Sequence, residues 1–151
     1  MKRMLILSLC LLLLLGGCGS NNENKAKAAY EAVVKGISLT NSGIQRVWSQ
    51  YQADSDFGTA KGQFVYGYVM QQAAERDSEK INGYFSDAEG KIKALSSQSK
   101  YYEDLKELLL AGKSLFSWYS NGNLSNTSEQ RSLMDTINAL TKSLDFELGD
   151  N

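Results

Sequence analysis

Beyond residue 24, apolar residues recur every three or four positions along most of the chain. From about Lys25 to Gln52 the pattern is carried by Tyr30, Val33, Val34, Ile37, Ile44, Val47, Trp48 and Tyr51. That spacing gives one apolar face of a helix. Ala53 to Gly58 then read as a turn, in which Asp54, Ser55 or Asp56 can cap the next helix. The second stretch, about Thr59 to Ser97, changes character along its length. Its later half has one stripe, formed by Ile81, Tyr84, Phe85, Ala88, Ile92 and Leu95, with Asp87–Lys91 and Glu89–Lys93 spaced as pairs on the wet side. Its earlier half, Phe64 to Met70, is apolar on every side and rich in aromatic and β-branched residues, so a strand competes there. The helix-forming run Gln71 to Arg76 favours helix, and a helix apolar all round is expected to be the most buried one. A break near Asp77-Ser78 would divide the stretch in two.

The third helix is expected from about Lys100 to Ser120, with Tyr102, Leu105, Leu108, Leu109, Phe116 and Tyr119 on its face. Asn121-Gly122-Asn123 ends it, glycine being free to take positive φ. The fourth is expected from about Thr127 to Leu148, striped by Leu133, Ile137, Leu140, Leu144 and Leu148. Asn126 with Glu129, or Thr127 with Gln130, supplies the spacing of a capping box. Four amphipathic helices with short connections predict an all-α fold, a small antiparallel bundle.

The N-terminus has a different pattern. Lys2 and Arg3 precede Met4 to Leu15, which is apolar except for Ser8. This run is shorter than the roughly 20 residues of a membrane span and has the make-up of an export signal. It ends in Leu15-Gly16-Gly17-Cys18, which resembles the lipobox of bacterial lipoproteins. Small residues let an extended backbone enter a protease, and a cysteine supplies the thiolate needed for a thioether bond. The resemblance implies diacylglyceryl transfer to Cys18, cleavage before it, and acylation such as palmitate on the new amine. It covers residues 1–18 only. The expected division is a cleaved signal peptide at 1–17, a lipidated cysteine and polar tether at 18–24, and a helical domain at 25–151. Gly19 stands after the cysteine, and the resemblance then implies the periplasmic face of the outer membrane where the host has two membranes, or the cell surface where it has one.

Removing 17 of the 151 residues leaves 134, enough for one ordinary core. Removing Lys2 and Arg3 from the 16 basic residues leaves 14 against 17 acidic ones, a net charge of −3. That balance argues against a nucleic-acid partner. Cys10 leaves with the signal and Cys18 takes lipid, so no disulfide is expected within the domain. The chain has no histidine, which removes the commonest general base and transition-metal ligand. Without histidine or a free thiol, the Ser-His-Asp and Cys-His triads, zinc-thiolate sites and Glu-x-x-His di-metal bundle motifs cannot be built. No metal and no cofactor are therefore expected. Glu75 with Glu79, and Glu103 with Glu107, lie four apart but sit among lysines and read as solvated faces. Gly58 and Gly62 are spaced for a close helix contact but read as a helix start.

Two features suggest a surface for a partner. Gly36 and Gly43, and likewise Gly83 and Gly90, lie seven apart and project away from the main stripes, where they would leave a flat groove. Trp118 projects away from the stripe of the third helix beside the Asn121-Gly122-Asn123 turn, as a partner anchor, a residue on the membrane surface or one tucked under the next loop. The expected role is non-enzymatic: a lipid-anchored interaction or adaptor protein of the envelope, joined to the membrane through Cys18 and to an envelope protein partner. The alternative is a bundle that binds a small molecule or lipid, with Phe64 to Met70 and the tyrosines lining a cavity.

Overall fold

A computed structural model of the chain describes the side chains of residues 21–56 and 58–149. The expected lipobox, Leu15 to Cys18, lies outside those described residues. The chain forms four helices, α1 (Lys2–Tyr51), α2 (Ala60–Lys93), α3 (Tyr102–Ser120) and α4 (Thr127–Leu148), with no strand among the described residues. The fold is an all-α four-helix bundle.

Cross-helix contacts fix the topology. Gly36 of α1 lies against Phe85 of α2, and Arg46 reaches Asp77, so α1 and α2 run antiparallel. Ile37 lies against Gly112 and Gly43 against Tyr119, so α3 runs alongside α1 in the same direction. Tyr30 donates a hydrogen bond of 2.5 Å to Asp145 Oδ1, which places the end of α4 beside the start of the domain. The α4 helix packs on α3 and, more lightly, on α1; among the described residues it does not touch α2.

Each helix begins and ends for a local reason. The cap of α2 is Thr59, whose Oγ1 accepts from the Gly62 amide at 3.1 Å, while Asp54 holds the preceding turn through the Asp56 amide. A capping-box variant opens α4: Asn126 Oδ1 accepts from the Glu129 amide, and the Asn126 side-chain amide donates to the Glu129 carboxylate. After α3 the chain turns at Gly122, whose φ is +61°. A side chain there would also collide with the backbone of Gly67, its Cβ running into the Gly67 carbonyl oxygen. Glycine is required at this point on both counts.

The core contains the expected stripes. Val33, Ile44, Ile81, Leu105 and Leu108 are fully buried, and Phe85, Ile137 and Leu144 nearly so; on α3 Leu115, absent from the expected stripe, is fully buried, while the expected Phe116 is only partly buried. Three expectations need correction. Asn21 to Asn24, assigned to the tether, already belong to α1. The α2 helix passes through Asp77-Ser78 unbroken, with Ser78 Oγ donating back to the Glu75 carbonyl. The segment Phe64 to Met70 is helical, but it is not the most buried part of the fold. Tyr66, Gly67 and Met70 face inward, while Phe64, Val65 and Tyr68 are 83%, 45% and 61% exposed. With α4 absent from this flank, the bundle covers only one arc of such a segment.

Candidate functional site

The sequence-predicted site residues separate into two groups. Gly36 and Gly43 lie inside the bundle, and the expectation of an open groove there does not hold. A Cβ on Gly36 would lie 2.5 Å from the Phe85 ring, and one on Gly43 would lie 2.6 Å from the Tyr119 hydroxyl. Large side chains from α2 and α3 already fill the space these glycines leave. Trp118 is also internal, 2% exposed, with its indole N–H donating to the Asn126 carbonyl at 3.0 Å. It is the residue tucked under the next loop, not a surface anchor. Gly83 and Gly90 remain on the surface with open space where a side chain would stand. Gly83 borders a broad shallow hollow of about 650 Å³ with Arg76, Lys80 and Tyr84.

The exposed apolar residues that sequence reasoning placed in the core are the more informative group. Phe64 and Tyr68 lie one turn apart on the outer side of α2, with Gly67 between them pressed on the Gly122 turn. Gln63 and Gln71 complete a hollow of about 190 Å³ at this point. Gln71 also donates to the Asn121 carbonyl at 2.9 Å and so pins the α3–α4 turn against α2. Beneath, Tyr66 donates to Asp54 Oδ2, and its ring lies 4.8 Å from that of Tyr51. The Asp54 carboxylate beside it pushes the Tyr66 hydroxyl up to about 12, and the same bond holds Asp54 below its ordinary value. This polar clasp fixes the α1–α2 turn, and with it the direction in which Phe64 and Tyr68 point. The patch occupies the end of the bundle opposite residue 21, because α2 begins where α1 ends.

A second surface feature lies along the seam of α2 and α3. Ile92, Tyr102, Leu109 and Leu110 floor a groove of about 230 Å³. Its rim carries Glu89, which Lys113 and Lys93 each reach at 2.7 Å. Their hydrogen bonds, Lys113 first, hold the Glu89 carboxyl down at about 2.

The interior also holds one orphan hydroxyl. Tyr119 is fully buried, and its oxygen has no hydrogen-bond partner among the described residues. Burial, and then the nearby Asp77, raise this tyrosine above its ordinary value. The carboxylate pairs Glu75/Glu79 and Glu103/Glu107 are exposed. No cluster of metal-binding side chains occurs among the described residues. No described helix is long and apolar enough to cross a membrane. Compared with known proteins, the chain matches no family model, no curated protein and no solved structure.

Proposed function

We propose that this chain is a lipid-anchored, non-enzymatic interaction protein of the bacterial envelope, held to the membrane through Cys18. In this reading a protein partner docks on the α2 face carrying Phe64, Val65 and Tyr68. The observation that carries the docking reading is the exposure of those three residues at the end of the bundle opposite residue 21. A lipid on Cys18 would place the membrane at one end and the aromatic face at the other, directed into the space the protein must reach. Aromatic residues are the favoured anchors of protein contacts, and exposed apolar clusters on an otherwise polar surface mark such contacts. Two aromatic side chains bury roughly 300–500 Å² together, the centre of an interface of about 800 Å² per partner. Gly83 and Gly90 leave a further flat strip on the same helix.

The anchorage rests on the lipobox resemblance, and the non-enzymatic reading on the lack of histidine and of a free thiol in the mature sequence. Lipid or small-molecule binding is the second reading, and the lysine-rimmed α2–α3 groove favours it.

Photo-crosslinking in cells tests the docking face. Probes at Phe64 and at Tyr68 are expected to capture one common protein, and a probe at Gly90 is expected not to. Capture is expected to fall at least tenfold when Val65→Asp is added. Equal capture from all three positions, or capture indifferent to Val65→Asp, would reject this face. Radioactive palmitate is expected to label the protein and to leave it unlabelled in Cys18→Ser; persistent label on that variant rejects the anchorage.

A further inference from the structure

The α2–α3 groove combines two properties that one class of ligand requires together. Its floor is apolar: Ile92 and Leu109 are buried beneath it, Tyr102 lines its lower end, and Leu110 stands 57% exposed at its edge. Its rim is cationic: it carries Lys93, Lys106 and Lys113, against Glu89, which pairs with Lys93 and Lys113, and Glu103, which pairs with Lys106. The chain without its signal segment is net negative, so this local surplus runs against the overall charge. The lysines are not locked in place. Lys93 and Lys113 share Glu89, Lys106 reaches Glu103 at 3.6 Å and lies over the Tyr102 ring at 5.8 Å, and the side chains of Lys93, Lys113 and Lys106 are 73%, 41% and 52% exposed. Ion pairs so exposed each contribute little net stability.

Tyr102 begins α3 and Lys93 ends α2, so the lower mouth of the groove lies at the end of the bundle where α1 enters. The groove climbs α3 from Tyr102 to Lys113, eleven residues or about 16 Å at 1.5 Å per residue. The Cys18 of the lipobox is three residues before Asn21, so the membrane would lie close to that lower mouth.

We propose that this groove binds an anionic phospholipid, with part of one acyl chain on Leu109, Leu110, Ile92 and Tyr102 and the phosphate held by Lys93, Lys106 and Lys113. The inference rests on the envelope anchorage for its supply of lipid. The groove, at about 230 Å³, is below the roughly 300–1,000 Å³ of sites that enclose a drug-sized ligand. It holds a segment of one chain and leaves the rest of the lipid outside.

The test uses the full chain in cells fed a diazirine-bearing palmitate, which enters the membrane phospholipids. After illumination the protein is purified and digested, and lipid adducts are mapped by mass. Adducts on the Glu107–Lys113 peptide are expected to exceed by at least tenfold those on the peptides carrying Phe64 and Phe146, which are also exposed. Their masses are expected to show anionic headgroups well above the share of such lipids in the membrane. Leu110→Asp and Lys106→Glu, both at exposed positions, are each expected to lower the yield at least fivefold. Equal labelling of the three peptides, headgroups in membrane proportion, or a yield unchanged by Leu110→Asp overturns the proposal. So does absence of adducts, the result expected if the groove instead takes an acidic helix of a protein partner. The same digest reports acylation on the Cys18 peptide, so a failed anchorage is read separately from a failed groove.

Discussion

Alanine substituted for glycine is expected to have opposite signs at Gly36 and Gly83, two positions the sequence presents as equivalent. Within a helix the change is intrinsically stabilising by about 0.5–1 kcal/mol, since glycine has the most backbone freedom to lose. At Gly83 nothing lies within 4 Å of the new methyl group, so that gain stands alone. At Gly36 the methyl carbon would lie 2.5, 2.8 and 3.0 Å from three atoms of the Phe85 ring. Ordinary carbon contacts lie at about 3.5–4.0 Å, so the ring must retreat by about 1 Å. It has little room to do so. Phe85 is 1% exposed and sits within the buried core cluster. Overpacking of this kind costs about 1–3 kcal/mol. The net at Gly36 is a loss of about 1 kcal/mol, and the two variants separate by about 2 kcal/mol.

For a domain of this size 1 kcal/mol corresponds to roughly 3–5 °C in Tm. Thermal unfolding followed by far-UV circular dichroism should place Gly36→Ala below the parent chain and Gly83→Ala above it, about 6–10 °C apart. Adding Phe85→Leu to Gly36→Ala should recover part of the loss, with a coupling of about 1 kcal/mol between the two sites. If Gly36→Ala melts at or above the parent chain, the ring is not seated in a glycine slot and the packing argument is wrong.

The hydrogen bonds and ion pairs set three further expectations. Tyr119→Phe should leave stability unchanged or raise it by about 1 kcal/mol in urea unfolding, because it removes a buried hydroxyl without a described partner; a loss of more than about 1 kcal/mol would show that the hydroxyl is bonded. Tyr30→Phe should lower stability by about 1 kcal/mol and speed amide exchange in α4 more than in α3, because that hydroxyl ties α1 to Asp145; equal effects on both helices would refute the tie. The depressed Glu89 carboxyl contributes stability that is present above its unfolded value, about 4.3, and is lost as the pH falls toward about 2. Acid titration of Glu89→Gln should therefore show a shallower loss across that window than the parent chain, and parallel curves would exclude the Lys113–Glu89–Lys93 cluster as its source.

The large side chains made the helices legible. Ile81, Phe85, Ala88, Ile92 and Leu95 face inward as their spacing predicts, and so do Ile137, Leu144 and Leu148. Local chemistry made the end of α3 and the start of α4 legible, through Gly122 and Asn126. The direction of Phe64, Val65 and Tyr68 was not legible. Where every residue of a segment is apolar, periodicity carries no phase, and only the absence of α4 from that flank decides which arc is left uncovered. The α2–α3 groove was hidden for a related reason. Its lysines belong to separate stretches, and each alone reads as an ordinary solvated residue.

The misplacement of Gly36 and Gly43 has a different cause. A hydrophobic stripe is found by looking for large apolar residues, and α1 carries a second buried arc made of small ones: Ala26, Ala29, Ala32, Gly36, Thr40 and Gly43. Thr40 fits there because its hydroxyl is satisfied within the helix, donating to the Gly36 carbonyl at 2.9 Å. Small residues score weakly as hydrophobic, yet they supply the depth into which Phe85 and Tyr119 insert. Close packing needs both a projecting side chain and a recess, and hydropathy registers only the first. On α2 the glycines at 83 and 90 have the same spacing as those on α1, but no described helix faces them. Seven residues fix two positions on one side of a helix; whether that side is a recess or a bare surface depends on the neighbouring helix.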